Sequence, residues 1–460
     1  MRRSGLALPL LFLATTCAKP QPVEVPVWKP GVMYRTAEAP NARGLLDRRG
    51  LIHAHSYYSH DACDGKPIDE NGQYDQTCFD DFRRGLCEVG HDFVFLTDHR
   101  ESFDDNEFPD VLLHRPDLGD TVVDHGAGPT ANRMACPSGR APLIMAGAET
   151  TPMMPVGLER HAGDKATRGG VYGGDGADPL LKVKEAGAVA LVAHTERWTV
   201  DELTTLPLDG FEMFNLHANT FKNLTVVADL VLNRFDKGDF EGLPHPDAFL
   251  LYYALEDPAY LETWGTVFSR GVKRVTTMGT DCHRNSLPQQ MPDGERVDSY
   301  RRMMMGFSNH LLVRPKEDGT FDDRDLKDAL RAGRLYGAFE FLGYPVGFDF
   351  TATDAAGTHE MGEDVKLGAT LNVALPKVQD LDAAADAPEI TARLYRAREG
   401  GWDEVASSDG ALEFQPTAAG AYRAEIRITP LHLKPHAGKR LDLIKQNRPW
   451  VYSNVIYVVP

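Results

Sequence analysis

Leu51-Ile52-His53-Ala54-His55-Ser56-Tyr57-Tyr58-Ser59-His60-Asp61 opens as a short apolar run and closes on three histidines and an aspartate. Gly50 to Ala54 reads as a buried strand. Side-chain direction on a strand repeats every two residues, so His53 and His55 share one face. Two imidazoles at the end of a strand can meet on one metal ion. A His-x-His pair is weak evidence by itself, and its weight depends on how the other strands end.

They end in the same chemistry. Asp92 to Thr97 is a buried-type strand closing on Asp98-His99, and Pro142 to Gly147 closes on Ala148-Glu149-Thr150. Ala188 to Ala193 leads into His194, and Gly210 to Phe214 runs into Asn215-Leu216-His217. Lys273 to Met278 leads into Gly279-Thr280-Asp281-Cys282-His283. Helical spacing at Phe79 to Glu88 and Leu180 to Ala186, with further helices through about Ser269, separates these strands, which predicts parallel strands closed into a barrel; one more helix, Asp323 to Ala332, follows the last strand. In such barrels the active site lies at the carboxyl ends of the strands, where every one of these polar clusters falls. Imidazole with carboxylate suits Zn, Mn or Fe, and without clustered thiolates a closed structural zinc site is disfavoured.

The 460 residues carry a formal charge of -18 and no Lys/Arg block, which disfavours nucleic acid as a partner. Arg2 and Arg3 precede an apolar run from Leu6 to Ala14, too short to span a bilayer, and then Thr15-Thr16-Cys17; residues 1–17 read as an export signal. Two readings stay open: a lipoprotein signal with a lipid anchor on Cys17 (Thr16 fits poorly before it) or a plain cleaved periplasmic signal. Residues 18–44 form a Pro-rich tether. Six cysteines suit an oxidising compartment, with Cys63–Cys78 as the first candidate pair and Cys87–Cys136 as the second. The barrel is expected over 45–343. From 344 to 460, alternating strand patterns with Gly, Pro and Asp turns predict a small all-β sandwich without clustered ligands.

Taken together, His53-Ala54-His55 with Ser59-His60-Asp61, Thr97-Asp98-His99, Gly147-Ala148-Glu149, Ala193-His194 and Asp281-Cys282-His283 resemble, in order, the motifs of the PHP (polymerase and histidinol phosphatase) superfamily of metal-dependent phosphoesterases. Pro449-Trp450-Val451-Tyr452-Ser453-Asn454 is also similar to the end of exported bacterial members. The resemblance implies a distorted (β/α)7 barrel with two or three divalent metal ions. His53, His55, Glu149 and Asp281 would hold one ion, with Glu149 bridging to a second held by His194. His99 and His283 would hold a third. His60 and Asp61 compete for one further ligand position. The second ion calls for another histidine, and His161 is the histidine between Glu149 and His194.

The implied activity is hydrolysis of phosphate mono- or diesters of a small molecule by a metal-activated hydroxide. Glu149, Asp281 and His217 are the candidate catalytic residues, with a structural role for His217 as the competing reading. Arg100, Arg197 and Arg284 follow ligands closely and could hold phosphate oxygens, or could pair with carboxylates around the ligands. Glu101 to Arg140 and Pro152 to Gly176 are expected to be substrate-selecting walls of the active face. The same ligands would serve hydrolysis of a carboxylic ester, carbamate or amide. A non-catalytic exported binding protein is the third reading.

Overall fold

A computed structural model describes residues 39–150, 153–223, 225, 228, 242, 244–252, 254–291 and 293–460. The residues read as an export signal, Cys17 and the expected tether up to residue 38 lie outside the described residues. Among them no helix is long and apolar enough to cross a membrane.

Seven strands close the expected barrel: β1 (Leu46–Ala54), β2 (Phe93–Leu96), β3 (Leu143–Glu149), β4 (Met154–Leu158), β5 (Val189–Val192), β6 (Gly210–Asn215) and β7 (Val275–Cys282). Hydrogen bonding runs β1-β2-β3-β4-β5-β6-β7 and back to β1. All pairs are parallel except those of β4, which runs against both neighbours. Alternation along the strands builds two cores. Ile52, Phe95, Met145, Val156 and Leu191 cluster with Leu326 and Leu330 of the helix Asp323–Arg331, which plugs the barrel. The alternate residues Leu51, Val94, Ile144 and Val192 pack with the helical residues Phe82, Leu86, Val183 and Trp264.

β1 breaks this alternation where it matters. Register shifts between Ile52 and Ala54 against both neighbours, and His53 has φ +84°. Ile52 belongs to the inner core and Ala54 to the outer one. A bulge at His53 therefore re-aims the rest of the strand, turning both His53 and His55 inward; unbroken alternation would have pointed them at the helices.

The two expected specificity walls need correction. Within Glu101 to Arg140, Thr121–Asp124 and Pro129–Arg133 form a hairpin joined to the start of β3 (Asn132 opposite Ile144), at the amino-terminal end of the barrel. Pro152 to Gly176 contains β4, a barrel strand whose Met-Pro-Val-Gly-Leu text lacks the polar terminus that marked the others.

Beyond β7, Ser308–Val313 pairs with β1 and with Leu335–Ala338, and the last strand, Arg448–Val459, pairs with Leu335–Ala338. The C-terminal antiparallel sheets thus continue from the barrel rather than hang from it. Asn454 accepts from the Thr276 N–H at 2.9 Å and donates to the Thr276 carbonyl at 2.8 Å. Arg423 stacks among Trp264, Tyr395, Trp402 and Tyr452, joining the helix Pro258–Ser269 to the C-terminal sheet.

Candidate metal centre

Every barrel strand except the reversed β4 delivers a polar residue to one end. Glu149 sits at the middle. Its Oε2 lies 3.4 Å from His53 Nε2, 3.3 Å from His55 Nε2 and 3.8 Å from His99 Nδ1, while Oε1 lies 3.1 Å from His194 Nε2. Asp281 mirrors it. Oδ1 is 3.2 Å from both His53 Nε2 and His55 Nε2, and Oδ2 is 3.3 Å from His194 Nε2 and 3.1 Å from His217 Nδ1. Each carboxylate therefore faces two separate sets of nitrogens, as a group shared by two cations would. A third set forms where Asp61 Oδ2 lies 3.3 Å from His99 Nε2 and 3.3 Å from His283 Nε2.

The donor set fits divalent ions. His55 Nε2, His283 Nε2, Asp281 Oδ1 and Asp61 Oδ1 are buried and have no hydrogen-bond partner, a costly arrangement unless something coordinates them. Charge argues the same way. Burial opposes a proton on His53, but Asp281, Glu212 and Glu149 outweigh it and raise the ring well above its ordinary value. Against the same burial penalty, Asp281 and Glu149 lift His55 to about 9 and His194 to about 12. Glu149 and Asp281 are held well below the carboxylate range despite burial, by the surrounding imidazoles. His283 is pushed down to about 3 by burial and by His55. Without cations the cluster neutralises itself with protons, which metal binding would displace.

The imidazoles are held from behind. His53 Nδ1 meets Glu212 Oε1 at 2.6 Å, His55 Nδ1 meets Ser59 Oγ at 2.8 Å, and His194 Nδ1 meets Glu196 Oε1 at 3.2 Å. Fixing the far nitrogen sets the tautomer and ring angle of a metal-ligating histidine. Glu212, fully buried, also accepts from the His194 N–H and from Asn215 Nδ2, both at 3.0 Å. Gly279 makes room for it: a Cβ there would lie 1.9 Å from Glu212 Oε1. Sequence reasoning missed Glu212; its signal was a glutamate at an inward position of an otherwise apolar strand. His53, His194 and Asp281 all adopt positive φ (+84°, +50° and +57°), so backbone strain concentrates at the site.

Several expected residues stand elsewhere. His60 is exposed, its nearest charged partner being Glu101 at 3.8 Å. Ser59 turns inward to take His55 and the His99 N–H (2.9 Å), which turns the next side chain outward, and Asp61 enters the cluster instead. His161 is also outside: β4 runs backward and carries the chain away from the carboxyl ends. Its Nε2 donates to the Asn106 carbonyl at 2.7 Å, and its ring packs on Phe103 and Phe108. His217 takes the position that the resemblance assigned to His161, beside His194 and Asp281. Arg284 is drawn to Asp81 (3.0 Å) and Arg100 to Asp104 (3.3 Å). Arg197 stays at the site. It lines both a cavity of about 450 Å³ shared with Asp61, Glu149, His217 and Lys222, and a smaller one of about 150 Å³ shared with Thr150 and Trp198. Asp98 accepts from the Ser56 N–H and hydroxyl and so ties down the β1 exit. Cys282, on the outward side of β7, is buried and free.

No family model matches the chain, and no curated protein matches it. Among solved structures, a two-domain protein containing a predicted PHP-like metal-dependent phosphoesterase from Bacteroides vulgatus aligns over 92% of this chain and 98% of its own. The two are 13% identical, with a TM-score of 0.33.

Proposed function

We propose that this chain is a metal-dependent hydrolase that cleaves phosphate mono- or diesters of small molecules, using two or three Zn, Mn or Fe ions held by His53, His55, Asp61, His99, Glu149, His194, His217, Asp281 and His283. The observation that carries the reading is Glu149, whose two carboxylate oxygens face His53 and His55 on one side and His194 on the other. Ions bound there would lower the pKa of a coordinated water and neutralise charge on the reacting oxyanion. The chain's own groups supply the rest. Arg197, on the 450 Å³ cavity, gives a cationic contact to phosphate oxygens that an uncharged ester, carbamate or amide would not use; Lys222 lines the same cavity but is paired with Asp257. Glu212, Ser59 and Glu196 keep the imidazole lone pairs turned inward. Export to an oxidising compartment is part of the proposal, supported by the two disulfides, Cys63–Cys78 and Cys87–Cys136.

The test is to strip the protein with chelator, reload it with Zn, Mn or Fe(II), and assay aryl phosphate monoesters, diesters and aryl carboxylic esters in parallel. Metal-dependent turnover of phosphates, lost in Arg197→Ala, supports the reading. Turnover of carboxylic esters alone, or full phosphatase activity in metal-free protein, overturns it.

A further inference from the structure

We infer that the Cys63–Cys78 disulfide positions Asp61, the carboxylate that completes the ion site with His99 and His283. The inference rests on the metal-centre reading above and adds to it a device outside the ligand set.

Asp61 enters the cluster from a short turn, Ala62–Gly65, in which Cys63 (φ +56°) and Asp64 (φ +61°) are both left-handed. Two consecutive non-glycine residues in that region persist only where the surroundings hold them. The holding groups are visible. The Cys63 N–H donates to the His283 carbonyl and the Asp64 N–H to the Arg284 carbonyl, each at 3.1 Å. Asn285 Nδ2 donates to the Asp61 carbonyl at 2.8 Å. These bonds register the turn against the His283 loop, so Asp61 and His283 reach the same point.

The covalent tie comes from the other side. Cys63 is bonded to Cys78 in the first turn of the helix Gln76–Val89, and Cys87 near the end of that helix is bonded to Cys136. The helix is a firm anchor: Gly85 packs so closely on the helix Tyr300–Met304 that a Cβ would lie 2.6 Å from the Arg301 nitrogen. Asp61 is thus two residues from a crosslink to a fixed element. Among the described residues neither Asp61 carboxylate oxygen caps the turn that follows it, and Oδ1 has no hydrogen-bond partner. Its position depends on where the turn is pinned.

The experiment measures metal binding, so it does not depend on finding the substrate. Mn2+ is titrated into metal-free protein and free Mn2+ is read by electron paramagnetic resonance, for wild type, C63S/C78S, D61N, the triple variant and C87S/C136S. C63S/C78S and D61N are each expected to weaken one class of site tenfold or more, and the triple variant to be no weaker than D61N, because both changes act through one carboxylate. C87S/C136S is expected to bind as wild type does. Wild-type binding by C63S/C78S, losses that multiply in the triple variant, or an equal loss in C87S/C136S would overturn the inference. Should C63S/C78S fail to fold, oxidised wild type is opened by a dithiol, which takes up the disulfide bond as its own cyclic disulfide and leaves two thiols. These are capped with iodoacetamide, peptide mapping verifies the site, and the same titration is read.

Discussion

Nδ1 of His53 and Oε1 of Glu212 lie 2.6 Å apart in the barrel interior, with neither side chain exposed to solvent. The pair commits the His53 proton to Nδ1 and leaves Nε2 for the Glu149–Asp281 centre. Glu212 Oε2 meanwhile accepts two N–H groups, from His194 and Asn215. Both oxygens face donors, so an amide would set an NH2 against a donor in either orientation. Glu212→Gln is expected to lower metal affinity about 10–100-fold. Titration of Zn into metal-free protein measures this, and unchanged affinity would remove Glu212 from the support of the site.

Gly279 tests the same pair sterically. An alanine Cβ would lie 1.9 Å from Glu212 Oε1 and 3.2 Å from His53 Nδ1, inside a packed barrel. Gly279→Ala is expected to cost about 1–3 kcal/mol of stability and to weaken metal binding, as Glu212→Gln does. Urea unfolding of metal-free protein, together with metal content, checks both effects.

A pH dependence comes from a histidine far from the centre. His91 is fully buried, donates from Nε2 to the Met304 carbonyl at 2.9 Å, and has no partner at Nδ1. Burial, helped by Arg49, pushes its pKa down to about 3. An unfolded histidine titrates at about 6.5, so as pH falls the unfolded state takes up the proton first. His91 therefore withdraws stability from about pH 6.5 downward, amounting to roughly 2 kcal/mol by pH 5. His91→Gln lacks this titration. Its stability deficit against wild type, from urea midpoints, is expected to shrink by that amount between pH 7 and pH 5; a constant deficit would exclude His91 as the source.

Strand termini were the legible part. His53, His55, His99, Glu149, His194, Asp281 and His283 stand where a short apolar run meets a polar pair, and the barrel brings them together. Three things were illegible for physical reasons. The bulge at His53 leaves no compositional mark, although it alone turns the pair inward. β4 carries no ligand and runs backward, so neither its text nor the order of histidines along the chain showed that His161 leaves the site. The choice between adjacent His60 and Asp61 turns on a side-chain rotation set by Ser59, which sequence spacing does not encode.

That choice gives a direct comparison. Asp61 reaches His99 Nε2 and His283 Nε2 at 3.3 Å, whereas the His60 side chain is 56% exposed. Asp61→Asn is expected to lower affinity at one ion site by tenfold or more, and His60→Ala to leave metal content and stability within about 0.5 kcal/mol of wild type. Elemental analysis after gel filtration distinguishes them; metal loss in His60→Ala would restore it as a ligand.

His161 and His217 should fail in opposite ways. The His161 ring fills a buried space against Phe103 and Phe108, and its Nε2 satisfies the Asn106 carbonyl. Its truncation removes packing and strands an acceptor, at an expected cost of about 2–4 kcal/mol, while the ions stay. His217 is half-buried at the cavity, with Nδ1 3.1 Å from Asp281 Oδ2. Its removal takes one of several imidazoles from Asp281 and opens no apolar core, so His217→Ala is expected to lower the melting temperature of metal-free protein less than His161→Ala does and to lose affinity for an ion. Melting curves with and without added Mn2+ read both properties at once. A His161→Ala protein with normal stability and reduced Mn2+ response would reverse the assignment.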